Sequence, residues 1–218
     1  MRIPSTPGGE VMSSDEHLLR RIRDLLSELP DDERMVPVSR AGRHALADPA
    51  DRTRLVGEFL DRVSRVGAQG LQATEDEVPA ALREVLEIAG VTGVLVPDGL
   101  PGKLLGAWAV GGRRVVTDSP MAAAGDYDGI GAVVTVCAGA VADSGALVFD
   151  GGPGQLRKTT RAETALHVCL VRAEQIGPSL PEVVDRLDPR RSITLFGGPA
   201  GPDDEASADS RLIVLVVN

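Results

Sequence analysis

The stretch that decides the fold runs from Gly129 to Val171 and reads GIGAVVTVCAGAVADSGALVFDGGPGQLRKTTRAETALHVCLV. It contains three short apolar runs, Ala132–Cys137, Ala146–Phe149 and Ala165–Val171. These runs are nearly continuous in apolar residues and do not alternate with polar ones, which indicates strands buried on both faces. A sheet made of such strands is covered by helices. The stretch therefore predicts an α/β protein.

Similar apolar runs occur on both sides of this stretch. The further predicted strands are Val91–Val96, Arg114–Thr117, Ile193–Phe196 and Leu212–Val217. Thr74 and Glu77 have the spacing of a capping box, and they predict a helix that Gly90 ends. Pro181–Leu187 is predicted to form another helix. These elements together predict an open α/β sandwich of about seven strands.

The residues before Thr74 follow a different pattern. Apolar residues spaced three and four apart predict one helix that starts at Ser14 and ends before Pro30, and a second over about 51–66. Because no strand is predicted between them, we expect an N-terminal helical arm that lies outside the main sheet. The predicted division is a helical arm and linker over 1–68 and an α/β domain over 69–218.

Composition excludes several classes of function. Aromatic residues make up only 2% of the chain, so the core must be aliphatic, and bases would find few rings on which to stack. The net charge of -9 opposes binding to nucleic acid or to an anionic membrane. The longest apolar run, Leu212–Val217, is far too short to cross a bilayer. We therefore expect no nucleic-acid partner and no membrane partner.

The cysteines and the first residues indicate a cytoplasmic protein without a cofactor. Only two cysteines are present, Cys137 and Cys169, which are too few for a metal or cluster framework. Both lie inside apolar runs and are expected to be reduced, buried thiols. The opening residues contain no apolar core of a signal peptide.

A glycine-rich segment at Asp150–Gly154 invites comparison with phosphate-binding loops. Counting from Gly152, the second glycine that a P-loop requires falls on Arg157, although a lysine and a threonine follow it. A side chain at that position obstructs the backbone that curls around phosphate oxygens. The dinucleotide fingerprint fails at the same residue. The segment is therefore predicted to be a turn between strands.

Residues 129–176 resemble the core of the lactate-utilisation protein C family, which carries the LUD domain. That family shows a strand, an A-E-[TS]-G-T segment, a glycine-rich turn, a strand that begins with histidine, and a Gln-Ile pair. The matching residues are Cys137, Ala142, Ser144, Gly145, Leu147, Val148, Gly151–Gly154, His167, Val168, Val171, Gln175 and Ile176. The resemblance extends more weakly over the helices and the linker before residue 74.

The resemblance implies a fold and a function. The fold is the open α/β sandwich shared by ribose-5-phosphate isomerase, glucosamine-6-phosphate deaminase and CoA transferases, here with the N-terminal helical arm. The function is support of the oxidation of L-lactate to pyruvate, beside iron–sulfur partner proteins. Because this chain has no cysteine framework, the clusters would belong to those partners.

Candidate site residues follow from the matched motifs. Asp143 stands where the family has a glutamate, and in related CoA transferases a comparable glutamate is the nucleophile. The candidate catalytic residues are Asp143, Ser144 and His167, and the candidate ligand-binding residues are Gly145, Arg157, Lys158, Gly198, Pro199 and Asp204. The ligand expected near them is a small carboxylate or phosphate. Asp143, Ser144 and His167 could instead have structural roles, and the basic and acidic residues could face solvent.

The segment that precedes the last strand departs from the family pattern. Ala200 and Pro202 replace a serine and a threonine, and a G-V-H-G-P piece is missing. Acidic residues there would repel an anionic ligand. Three hypotheses therefore stay open: a lactate-utilisation subunit, an acyl-transferring or folate-ligase-like enzyme with Asp143 as nucleophile, and a non-catalytic scaffold whose pocket has decayed.

Overall fold

The structure is a computed structural model that describes residues 49–121, 124–157, 164–197 and 211–218. Contacts divide the chain into two compact units, Met1–Arg43 and His44–Asn218, and the described residues all belong to the second. The helix predicted to start at Ser14 lies outside the described residues.

Six parallel strands form the main sheet. They are β1 (Gln69–Ala73), β2 (Gly93–Val96), β3 (Arg114–Thr117), β4 (Ala132–Val136), β7 (Leu166–Arg172) and β10 (Arg211–Val217). Their order across the sheet is β1–β10–β7–β4–β2–β3. The strands β2, β4, β7 and β10 are almost fully buried, as their continuous apolar sequences predict. The edge strand β3 is mostly exposed despite a similar composition.

A second sheet of four short strands packs beside the first. Its strands are β5 (Gly139–Val141), β6 (Ala146–Phe149), β8 (Ile176–Gly177) and β9 (Thr194–Phe196). Their order is β8–β5–β6–β9, in which β5 and β6 form an antiparallel hairpin and β8 runs parallel to β5. The sequence did not predict β1, β5 and β8, since these segments are short or contain glycine and glutamine.

Helices cover the main sheet on both faces. The helix α1 (Pro49–Arg65) and the second sheet pack on one face, and α2 (Val78–Ile88) packs on the other. The short helix α3 (Leu180–Val184) packs against β5 and β8. Single turns of 3-10 helix occur at Gly102–Leu104, Ala124–Tyr127 and Ala173–Gln175.

The second predicted helix is present as α1, but its expected place outside the sheet is wrong. Leu55, Phe59 and Val63 on α1 share one buried cluster with Cys169 of β7 and Val214 of β10. The spacing of its apolar residues gives α1 an amphipathic face, and the sheet is what buries that face. The division of the chain at residue 68 stays a prediction about domains.

The capping box at Thr74 forms in an altered way. The Glu77 carboxylate accepts bonds from the Thr74 amide, at 2.9 Å, and from the Thr74 hydroxyl, at 2.8 Å. The hydroxyl therefore donates to the glutamate and does not cap a helix amide, and α2 begins only at Val78. The other end agrees with the prediction, because Gly90 turns the chain with a φ of 67° just after the helix.

The predicted α/β class is confirmed by the mainly parallel central sheet and its helices. The arrangement is compatible with the ribose-5-phosphate isomerase-like fold that the resemblance implies. No helix within the described ranges is long and apolar enough to span a bilayer.

Candidate functional site

The glycine-rich turn lies where open α/β sheets place their ligands. The chain leaves β2 toward β3 on one side, whereas β4 leads toward β7 on the other, so the carboxyl ends of β2 and β4 flank a topological switch point. The Gly154 amide donates to the Asp98 carbonyl at 2.7 Å, and the Val136 amide donates to the Gly154 carbonyl at 2.9 Å. The turn is therefore bonded both to the chain just after β2 and to the last residue of β4.

Two side chains hold this turn in shape. The Gln155 side-chain oxygen accepts the amides of Asp150 and Gly151 at 2.9 and 3.1 Å. One Asp150 carboxylate oxygen accepts the Gly152 amide and the Gln155 side-chain amide, both at 2.9 Å. The amides that a phosphate loop would direct at an anion are thus bonded within the turn. The prediction that Asp150–Gly154 is a turn and not a nucleotide loop agrees with this geometry.

A buried carboxylate beside the turn was missed by the sequence analysis. Asp118 follows β3 at the same edge of the sheet and is only 5% exposed. Arg157 donates to both of its carboxylate oxygens, at 2.7 and 3.0 Å, and Tyr127 donates its hydroxyl at 2.6 Å. The bond to Asp118 raises the pKa of Arg157 and also that of Tyr127. The one sign of this network in the sequence was an aspartate directly after a predicted strand. Its partner Arg157 lies 39 positions further along the chain and gives no local pattern.

This network fixes the position of Arg157, a predicted ligand-binding residue. Besides its two bonds to Asp118, the guanidinium donates to the Ser119 carbonyl at 2.6 Å. Its charge is therefore compensated within the protein. The neighbouring candidate Lys158 lies outside the described residues.

The candidate residues Asp143, Ser144 and Gly145 form the turn of the β5–β6 hairpin. Asp143 is exposed, and its backbone amide donates to the Pro178 carbonyl at 3.3 Å. The Ser144 hydroxyl accepts the Ala146 amide at 3.4 Å, which is a local bond within the turn.

Gly145 fits this turn for a steric reason. It has a φ of 74°, and a Cβ there would lie 3.0 to 3.1 Å from backbone and side-chain atoms of Arg62 and Val63 on α1. A glycine is therefore needed where the hairpin meets the helix.

His167 lies near the amino end of β7 and is half-buried among aromatic rings. Its Nε2 lies 2.8 Å from the Thr135 hydroxyl, and the rings of Phe149 and Phe196 are 6.3 and 5.4 Å away between centroids. Burial lowers the pKa of His167 from its ordinary 6.5 to about 4. The imidazole is therefore neutral at physiological pH.

The structure does not join the three predicted catalytic side chains into one unit. Among the described residues, neither Asp143 nor Ser144 forms a hydrogen bond or an ion pair with His167. The candidates Gly198, Pro199 and Asp204 lie outside the described residues. The catalytic and ligand-binding assignments stay predictions.

Both cysteines lie in the core, as expected. The Cys137 thiol is hydrogen-bonded with the Cys169 thiol, and this contact, together with burial, raises the pKa of Cys137 well above its usual range. The Cys137 thiol is therefore protonated and unreactive. No group of three or more histidine, cysteine, aspartate or glutamate side chains that could hold a metal occurs among the residues the structure describes.

Gln175, part of the motif that carries the resemblance, ties two strand ends together. Its side-chain oxygen accepts the Arg172 amide at 2.8 Å, at the end of β7. Its side-chain nitrogen donates to the Cys137 carbonyl at 3.0 Å, just after β4. The residue therefore has a structural role at the carboxyl edge of the sheet.

The fold and the motifs define an α/β protein that resembles the lactate-utilisation protein C family, and two comparisons with known proteins support this resemblance. No protein-family model matches the chain. Lactate utilization protein C from Deinococcus radiodurans is 29% identical over 162 residues, which are 72% of this chain and 74% of that protein. The crystal structure of a DUF162 family protein from Deinococcus radiodurans is similar with a TM-score of 0.61 and 27% identity, over 77% of this chain and 98% of that one. The resemblance to the lactate-utilisation protein C family is therefore confirmed.

Proposed function

We propose that this protein is a lactate-utilisation protein C-like subunit that supports the oxidation of L-lactate to pyruvate in the cytoplasm. The observation that carries the proposal is the similarity to lactate utilization protein C across most of both chains. The glycine-rich turn and the Gln175 contacts add to it, because these motif residues hold the carboxyl edge of the sheet together.

The proposed subunit has no redox centre of its own and acts beside iron–sulfur partner proteins. Its two cysteines are buried side by side inside the sheet, and burial together with their mutual contact keeps the Cys137 thiol protonated, with a raised pKa. A cluster needs several accessible thiolates, so the residues present fit a partner-held cluster better than a cluster of this chain.

A scaffolding role is the second candidate, and one observation favours it. The switch point at which an open α/β sheet normally takes a ligand is bridged by the Gly154 turn, and the nearby Arg157 is paired with Asp118. Acyl transfer with Asp143 as the nucleophile has less support, because Asp143 is exposed at the turn of the β5–β6 hairpin.

The first test is genetic. The gene is deleted in an organism that carries it, and growth is measured on L-lactate as the sole carbon source, with glucose as the control. We expect a growth defect on lactate alone, which the wild-type gene restores. Normal growth on lactate, in a genome without a second gene of this family, would refute the proposed function.

A second test addresses the partners. The tagged full-length protein is isolated from lactate-grown and glucose-grown cells, and the proteins that accompany it are identified by mass spectrometry. We expect proteins with cysteine frameworks for iron–sulfur clusters in the lactate-grown sample. Purified protein that retains iron of its own after reconstitution would contradict the proposed absence of a redox centre.

A further inference from the structure

A pocket opens at a second place along the carboxyl edge of the main sheet, away from the glycine-rich turn. It has a volume of about 600 Å³ and lies between α1 and the ends of β1, β10 and β7. The charged and amide-bearing residues of its lining are Arg52, Gln72, Glu75, Arg172, Glu174 and Asn218. We call it the edge pocket. Its size is that of ordinary small-molecule sites, and the carboxyl ends of parallel strands are where such sites lie.

The strand register explains why these side chains meet. Val217 of β10 is paired with Arg172 of β7 on one side and with Ala73 of β1 on the other. Three neighbouring strands therefore end at one level, and the residues at their ends form the rim. The helix α1 supplies the opposite wall, where Gly57 leaves open space because a Cβ there would meet no atom within 4 Å.

The charges of the edge pocket define the ligand that it would accept. Arg172 and the two acids Glu75 and Glu174 line the pocket, and none of the three forms an ion pair within the described part of the chain. A guanidinium without an ion-pair partner in the described part of the chain is a candidate for binding a ligand carboxylate. The two glutamates are acceptors for a hydroxyl or ammonium group on the same ligand.

The rest of the lining is mainly apolar and offers a surface for an aliphatic part of the ligand. Val56, Ala173 and Val217 line the pocket beside the charged groups. A three-carbon acid would leave most of the volume empty, whereas a branched aliphatic chain would cover this apolar surface.

We propose that the edge pocket binds a small organic acid with a hydroxyl or amino group beside its carboxylate and an aliphatic side chain. Arg172 holds the carboxylate, Glu75 and Glu174 accept from the neighbouring hydroxyl or ammonium, and the aliphatic part lies on Val56 and Val217. This inference does not depend on the lactate proposal, since it concerns direct binding to the purified protein.

The test is titration calorimetry with the full-length protein and three probes. The probes are L-leucine, its hydroxy-acid analogue, and isocaproate, which lacks the hydroxyl and the amine. We expect binding at millimolar concentration for at least one of the first two and binding about tenfold weaker for isocaproate. The preferred probe tells whether the ligand is an amino acid or a hydroxy acid. No binding by either of the first two, or equal binding by isocaproate, would overturn the proposal.

Variants locate the binding site. We expect Arg172→Ala to weaken binding about tenfold or more, whereas Arg114→Ala, at an exposed arginine on the far edge strand β3, leaves it unchanged. Gly57→Leu places a side chain in the pocket from the α1 side, where a Cβ would meet no atom within 4 Å, and should block binding in a protein that still unfolds cooperatively. Unchanged affinity in both Arg172→Ala and Gly57→Leu would show that any bound acid lies elsewhere and would overturn the assignment.

Discussion

Replacing Gly154 by alanine measures how closely the glycine-rich turn is fitted onto the sheet. Gly154 has a φ of 77°, and a Cβ at this position would lie 2.6 Å from the Cγ2 atom of Val136. Two costs follow: backbone strain of about 1–2 kcal/mol for a left-handed residue, and overpacking of about 1–3 kcal/mol against a branched side chain that is stiff at χ1. We expect Gly154→Ala to lower the free energy of unfolding by roughly 2–5 kcal/mol in total.

The same turn provides a matched control. Gly151 has a φ of 71°, but a Cβ there would meet nothing within 4 Å. Gly151→Ala therefore carries only the strain, about 1–2 kcal/mol. The measurement is urea unfolding of the two variants and of the wild type, followed by circular dichroism. Their free energies of unfolding are comparable if the three proteins have the same m-value.

A third variant removes the clash itself. In the double variant Gly154→Ala with Val136→Ala, the contacting methyl group is gone, so the loss should fall short of the sum of the two single losses by about 1 kcal/mol or more. Equal destabilisation by Gly151→Ala and Gly154→Ala, together with strict additivity in the double variant, would refute the close fit of Gly154 between β2 and β4.

Three further predictions concern the surroundings of individual residues. Burial lowers the pKa of His167 from 6.5 to about 4, so the unfolded chain binds an extra proton between these pH values. The free energy of unfolding should therefore fall as the pH drops from 6.5 to 4, by at most about 3 kcal/mol. Urea titrations should show this fall in the wild type, and His167→Gln should lack it. Gly57→Ala should raise the free energy of unfolding by about 1 kcal/mol, since Gly57 lies inside α1 with space for a Cβ; a lower melting temperature would contradict this. Cys137 and Cys169 should resist a thiol-reactive dye in the native protein and both react in denaturant; fast labelling of the native protein would show that the thiols are accessible.

The apolar runs were enough to predict most of the sheet. The strands β3 and β6 have the predicted bounds, and β2, β4, β7, β9 and β10 differ from prediction by one or two residues at an end. Continuous Val-, Leu- and Ile-rich segments carry this signal because the sheet buries both of their faces. The strand β1, with the sequence QGLQA, has no such signal. It forms a strand because it pairs with β10, and this contact between distant parts of the chain exists only in the folded protein.

The candidate site was less predictable, for a physical reason. The motif that includes Ser144 and His167 is visible in the sequence, but the state of each side chain depends on its three-dimensional neighbours. His167 is neutral because it is buried against the rings of Phe149 and Phe196. Arg157 is bound by Asp118, a residue 39 positions away in the chain. The edge pocket is likewise built from α1 and from three strand ends that are distant in sequence. Long-range packing of this kind leaves no local pattern.

The position of β10 has a consequence for synthesis on the ribosome. This strand, the last of those described, lies between β1, the first, and β7. Until it emerges, β1 has no neighbour in the sheet, and one long edge of β7 is left with unpaired backbone groups. Such an edge is a template for association with other chains. This edge closes only when β10 inserts between the two strands, so the pairing of the sheet is completed late in folding.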